Sequence, residues 1–150
     1  YVNDIHVIGS IDKMVSINSC LQVDLFGQVN SESAKWQHIG GTGGQLDYVM
    51  GAFHSNGGQS FLCTPSTRVG KDGKVESLIC PRFPEGSIVS VPRSATHFIV
   101  TEYGAVNLKG KTTYERAELL ISIAHPDFRE ELMQQAERMG IWKKSSKVQP

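Results

Sequence analysis

The chain has 150 residues, 39% of them hydrophobic and 8% aromatic, and its 15 basic side chains balance 15 acidic ones for a formal charge of zero. A chain of this length buries roughly 70% of the surface its unfolded form exposes, enough for one core without disulfides or a structural metal. Zero net charge argues against a nucleic-acid partner, which requires a basic face, and there is no apolar run long enough to span a membrane.

From the amino end, the chain has no charged-then-apolar leader and does not begin with Met, so a processed or truncated piece is expected. Residues 14–23 carry Met14, Val15, Ile17, Cys20, Leu21 and Val23 and predict a strand. Gly27 then supplies a turn, with residues 28–31 returning as a hairpin partner. Further strands are predicted at 61–64, 75–80, 88–91 and 98–101, the last β-branched and aromatic enough to be central. The Asp72-Gly73 pair predicts the tight turn of a projecting β-hairpin.

After Gly110 the texture becomes helical. Thr112 and Glu115 form a capping-box pair, and Tyr114, Ala117, Leu120, Ile121 and Ala124 recur on one face, predicting a helix over 112–125. Pro126 suits the first turn of a second helix over 126–139, Asp127, Glu130 and Glu131 favour its positive end, and Gly140 closes it. The fold class expected is α/β. Residues 1–140 are read as one domain and 141–150, with Lys143, Lys144 and Lys147, as a solvated tail.

Cys20, Cys63 and Cys80 are odd in number and spaced 43 and 17 apart, which fits neither a disulfide framework nor a zinc site. Each lies in or beside an apolar stretch, so buried thiols in a reducing, cytoplasmic setting are expected. The five histidines are scattered without ligand spacing, and no metal site is predicted.

Two stretches carry candidate chemistry. Gly40-Gly41-Thr42-Gly43-Gly44-Gln45 precedes a helical pattern through Leu46, Val49, Met50 and Phe53. Glycines let backbone approach a ligand closely and a following helix aims its free N–H groups at an anion, although the same pattern describes a purely structural loop. It is not a dinucleotide fingerprint, because residue 46 is leucine where the third glycine belongs. Nor is Gly110-Lys111-Thr112 the end of a Walker loop, since Ala105 stands where the first glycine is required. The second stretch is Val100-Thr101-Glu102-Tyr103-Gly104, a carboxylate at the end of an apolar strand, where open α/β sheets bind ligands. Glu102 suits an acid, base, nucleophile or orienting role, and equally a salt-bridged surface glutamate.

Seven motifs in unbroken order over residues 1–132 carry a resemblance. They are Ser16-Ile17-Asn18-Ser19-Cys20, Val23-Asp24-Leu25-Phe26-Gly27-Gln28-Val29, Gly41-Thr42-Gly43-Gly44-Gln45-Leu46-Asp47, Pro65-Ser66-Thr67, Val100-Thr101-Glu102-Tyr103-Gly104, Leu108-Lys109-Gly110-Lys111 and Ala124-His125-Pro126-Asp127-Phe128-Arg129. Together they resemble the C-terminal domain of the acetyl-CoA hydrolase/transferase family, nearest to 4-hydroxybutyrate or butyrate:acetate CoA-transferases.

The resemblance implies a CoA-transferase-type layered α/β domain, the second half of a two-domain enzyme. It implies exchange of CoA between an acyl-CoA (4-hydroxybutyryl-, butyryl- or acetyl-CoA) and a small carboxylate such as acetate, with coenzyme A as substrate and no permanently bound cofactor. In the family a glutamate attacks the thioester, passes through an acyl anhydride and becomes a glutamyl-CoA thioester. That glutamate lies upstream of the region matching Tyr1, so this chain alone is expected to be inactive. The resemblance assigns Gly43 and Gly44 to the oxyanion cradle, Gly41, Thr42 and Gln45 to substrate contact, and Glu102 to an auxiliary catalytic place. His125 to Arg129 read as structural: a helix start, with Arg129 pairing a carboxylate one turn away. The partners expected are the substrates, the upstream domain and, through an apolar face left uncovered, a second copy in a homo-oligomer, with no nucleic acid and no membrane. An acyl-CoA hydrolase and a non-catalytic CoA- or nucleotide-binding module are the alternative readings.

Overall fold

A computed structural model describes residues 1–141; Trp142 and the expected tail lysines Lys143, Lys144 and Lys147 lie outside the described residues. The elements in chain order are α1 (Ile5–Gly9), β1 (Val15–Ser19), β2 (Gln22–Asp24), β3 (Val29–Asn30), β4 (Ser33–Ala34), β5 (Gln37–His38), α2 (Gln45–His54), β6 (Gln59–Cys63), β7 (Thr67–Val69), β8 (Val75–Ser77), β9 (Ile79–Cys80), β10 (Phe98–Thr101), β11 (Gly104–Asn107), α3 (Thr113–Ser122) and α4 (Pro126–Arg138). This is the α/β architecture expected.

Its main sheet has the order β1-β6-β10-β11, with β1, β6 and β10 parallel and β11 antiparallel at one edge. Parallel neighbours cannot be joined by a tight turn, so the chain must cross over between them. Helix α2 makes the crossing from β1 to β6 and packs against both strands. Side chains alternate across a strand, and Ser60, Leu62, Ile99, Thr101 and Val106 point to one buried face. There Leu62, Ile99 and Val106 join one core with Val49 of α2 and Ala117, Leu120 and Ile121 of α3.

On the opposite face, register aligns Ile17 with Phe61 and Phe61 with Phe98. The two phenylalanine rings stack with centroids 4.8 Å apart, while Ile17 is 71% exposed. Phe61 and Phe98 are half-buried.

The expected strand 14–23 divides at Cys20-Leu21: its first half pairs in the main sheet, its second in a smaller sheet of order β3-β2-β9. The β2–β3 hairpin turns where expected, at Gly27 with φ +84°. Asp24 builds that turn, its carboxylate accepting from the Phe26 and Gln28 amides and the Gln28 side chain. Residues 75–80 divide likewise, β8 pairing with β7 and β9 with β2. The projecting β7–β8 hairpin turns through Gly73 at φ +79°.

Residues 88–91 do not form the expected strand; Val91 makes an isolated bridge to Val29. The stretch is confined between Pro84 and Gly86 on one side and Pro92 on the other, and proline lacks the N–H that a longer ladder would need. Short elements α1, β4, β5 and β11 have no counterpart in the sequence reading.

The two C-terminal helices have the ends their sequence dictates. Thr112 caps α3 through the Glu115 amide while Glu115 returns to the Thr112 amide, a complete capping box. Pro126 opens α4, His125 accepts from the Asp127 amide as its N-cap, and Gly140 follows with φ +70°. Loss of an N-cap side chain costs about 1 kcal/mol. Thr112→Ala is therefore expected to lower the unfolding free energy by about 1 kcal/mol in urea titrations, and an unchanged midpoint would show that α3 does not depend on its cap.

Candidate active site

The parallel strands bring three distant segments to one edge. At their carboxyl ends lie Ser19, the last residue of β1, and Cys20, then Thr64 to Ser66 after β6, and Glu102 after β10. The ladder continues past the strands, with the Cys20 amide donating to the Cys63 carbonyl at 2.9 Å and the Thr64 amide to that of Val100 at 3.0 Å. Glu102 and Tyr103 form the two-residue link between β10 and β11, where Thr101 pairs with Gly104. The Thr101 hydroxyl donates to the Ile123 carbonyl at 2.6 Å and accepts from the Tyr103 amide, which fixes the link.

The Glu102 carboxylate is held at both oxygens by one residue. The Ser66 hydroxyl donates to Oε1 at 2.5 Å and the Ser66 amide to Oε2 at 2.8 Å. Those hydrogen bonds, the hydroxyl's first, keep the carboxyl below its ordinary range, with a smaller contribution from nearby His125. Cys63, Thr64, Pro65 and Val100 line the depression of about 470 Å³ beside it. A second hollow of about 240 Å³ shares Thr64 and Pro65 with the first and reaches Cys20 and Ile39, the residue that precedes the glycine loop.

The glycine loop lies at the same edge. Gly43 has φ +52°, and a Cβ at Gly40, Gly41 or Gly43 would meet nothing within 4 Å, so the loop's surface is open to an incoming group. Gly44 is the N-cap of α2 and supplies no side-chain acceptor, which leaves the first-turn amides available. Gln45 anchors the helix start, its side-chain amide donating to the Ser19 carbonyl at 2.8 Å. Thr42 is exposed. Because β6 separates β1 from β10, Ser19, the loop's anchor, stands opposite Val100 about two interstrand spacings, roughly 10 Å, away, and Glu102 lies two residues beyond Val100. No hydrogen bond joins Gly41, Thr42, Gly43, Gly44 or Gln45 to Glu102 among the described residues.

Cys20 and Cys80 are raised to about 12 by burial, as inert thiols, while Cys63 lines the depression beside Glu102. No group of three or more His, Cys, Asp or Glu side chains among the described residues could hold a metal ion. Arg129 departs from its expected ion pair: its Nε donates to the Ala124 carbonyl at 3.0 Å and its guanidinium lies 5.6 Å from the Tyr103 ring centroid. Ser66 was legible only as part of Pro65-Ser66-Thr67. Its partner lies 36 residues away, so no local spacing links the two.

The α/β domain thus has a parallel sheet with an oriented acid and an open glycine loop at its carboxyl edge, the place where open α/β sheets bind ligands. The chain belongs to the acetyl-CoA hydrolase/transferase family, residues 1–136 matching the profile of the family's C-terminal domain. It is 55% identical over 148 residues to a probable butyrate:acetyl-CoA coenzyme A-transferase of Syntrophomonas wolfei, covering 99% of this chain and 33% of that protein. It is 52% identical over 147 residues to a butyryl-CoA:acetate CoA-transferase of Anaerostipes caccae, covering 98% and 33%. The crystal structure of RipA from Yersinia pestis is similar with a TM-score of 0.83 and 51% identity, over 94% of this chain and 31% of that one. An acetyl-CoA hydrolase of Candida albicans is more distant, 28% identical over 138 residues and covering 90% of this chain and 25% of that protein. The chain thus spans about a third of the length of the transferases it matches.

A carboxyl held below its ordinary value of 4.5 stabilises the fold above that pH, and the contribution is lost as pH falls through the lowered value. Glu102→Gln is expected to flatten the acid limb of stability against pH below about 5, measured by urea unfolding, relative to the unsubstituted chain. Parallel curves for the two proteins would show that Glu102 gains nothing from Ser66.

Proposed function

We propose that this chain is the C-terminal domain of a CoA-transferase that moves CoA between a short acyl-CoA, such as 4-hydroxybutyryl-, butyryl- or acetyl-CoA, and a carboxylate such as acetate. One observation carries the reading: in a domain of this family, an oriented carboxylate and an open glycine loop share the carboxyl edge of the parallel sheet. In the transfer, a glutamate from the upstream domain adds through its oxygen to the thioester carbon, and the C–S bond breaks to release CoA thiolate and leave an acyl anhydride. The thiolate then attacks the glutamyl carbonyl, forming a C–S bond and expelling the acyl group as its carboxylate. An incoming carboxylate reverses both steps. Each addition places negative charge on a carbonyl oxygen, where the backbone amides at Gly43 and Gly44 stabilise it and Gly41, Thr42 and Gln45 flank the substrate.

Glu102 is an auxiliary group in this scheme. Both its oxygens already accept short hydrogen bonds, which lowers their basicity, so it is a poorer attacking group than a free carboxylate. The apolar row of exposed Ile17 with half-buried Phe61 and Phe98 supports the upstream domain as a partner, because parallel sheets are normally covered on both faces. Coenzyme A is a substrate here, with no cofactor held permanently. The three free cysteines support a reducing, cytoplasmic setting.

The test compares acyl-CoA:acetate exchange by the 150-residue chain with that by a protein that also carries the upstream domain. Turnover by the longer protein alone is expected, and turnover by the shorter chain would place the attacking carboxylate within it. CoA release at full rate without acetate would identify a hydrolase, and CoA binding without turnover by either protein a binding module. In the longer protein, Gly44→Val keeps an unstrained backbone, since Gly44 has φ −95°, and the atoms nearest to its new Cβ belong to the flexible Asn3 amide. Exchange is expected to fall about 100-fold with the circular dichroism unchanged, and retained turnover would overturn the oxyanion assignment.

A further inference from the structure

Ser66 is completely buried, whereas the Glu102 side chain it holds faces solvent. A buried donor gripping an exposed acid is an unusual use of a serine, because an exposed glutamate is normally satisfied by water and keeps its rotamer freedom. Both ends of this contact are braced. The Ser66 carbonyl accepts from the Leu78 amide at 2.8 Å, and Pro65 before it restricts the backbone. Glu102 stands in the two-residue link closed by the Thr101–Gly104 pair and tied down by the Thr101 hydroxyl. Parallel pairing of β6 with β10 brings these rigid pieces together.

We propose that Ser66 is a positioning residue that presents Glu102 to the cleft as a single oriented anion, its hydroxyl and its backbone amide taking one carboxylate oxygen each. The paired grip fixes the plane of the carboxylate, which one hydrogen bond would leave free to rotate. Each oxygen keeps a second lone pair for a donor on the bound substrate. Glu102 then orients a ligand through a fixed charge, and Ser66 never touches the ligand itself. The catalytic part of this inference rests on the CoA-transferase reading; the grip does not.

A merely structural staple between the β6–β7 and β10–β11 links would also be weakened by Ser66→Ala, so the test measures what passes through Glu102. In this chain, the carboxyl carbon of Glu102 is titrated by carbon-13 NMR in the unsubstituted protein and in Ser66→Ala. In the longer protein, exchange kinetics are compared for Ser66→Ala, Glu102→Gln and the double variant, a cycle that isolates their coupling. Ser66→Ala is expected to move the Glu102 midpoint upward and to lower kcat roughly 10- to 100-fold, as misorientation of an active-site group does. The double variant is expected to match Glu102→Gln alone, and Ser66→Thr, which keeps the hydroxyl, to recover most of the rate wherever circular dichroism shows it folded.

An unmoved Glu102 midpoint overturns the proposal. So does an additional loss from Ser66→Ala in the Glu102→Gln background, since Ser66 would then act by another route. A moved midpoint in a family whose longer wild-type protein shows no exchange overturns the CoA-transferase reading and leaves the grip supported.

Discussion

The parallel pairing of β1, β6 and β10 is the constraint from which the rest of the molecule follows. Three strands running the same way put three carboxyl ends at one edge, and each return to the opposite edge needs a crossover. The first crossover contains β2 to β5 and α2; the second contains the projecting hairpin and β9. Everything proposed for chemistry is therefore displayed along one line: the loop anchored at Ser19, the turn at Pro65 and Ser66, and the link at Glu102. The small β3-β2-β9 sheet exists because both crossovers leave the main sheet, and it is where their excursions meet.

Two acids show how surroundings shift a carboxyl in opposite directions. Asp24 is buried, and the loss of water raises its carboxyl even though three hydrogen-bond donors of the Phe26–Gln28 turn oppose the shift. Its work is to close a hairpin. Glu102 faces a depression, keeps its water-exposed lone pairs, and is held low by Ser66. Arg116 is a third case: its buried guanidinium donates to the Lys111 and Arg93 carbonyls, so it joins loop to helix without a carboxylate. Glu102 differs from both in being an exposed acid held at each oxygen by a buried serine.

The two faces of the main sheet differ in composition. Helices α2 and α3 share a core with one side of the main sheet, while Ile17, Phe61 and Phe98 form an apolar row on the other. A face of that composition is stable in water only at a cost, and covering it with another layer removes the apolar area from solvent. The transferases it matches are about three times as long as this chain.

What the amino-acid order determined by itself was local. The Thr112–Glu115 capping box, the proline at the start of α4, and the turns at Gly27 and Gly73 depend on neighbours within a few residues, and each occurs where its sequence signals it. The ordered motifs also made the family recognisable. The tertiary structure decided where strands stop and which residues meet. Residues 14–23 and 75–80 read as continuous apolar runs, yet each serves two different sheets, because a strand's partner is chosen by packing and leaves no mark on its own alternation. Gln45 finds Ser19 and Ser66 finds Glu102 across 26 and 36 residues of chain. Hydrogen bonds between such distant groups have no characteristic spacing, so only the parallel ladder that aligns the strand ends could bring them together.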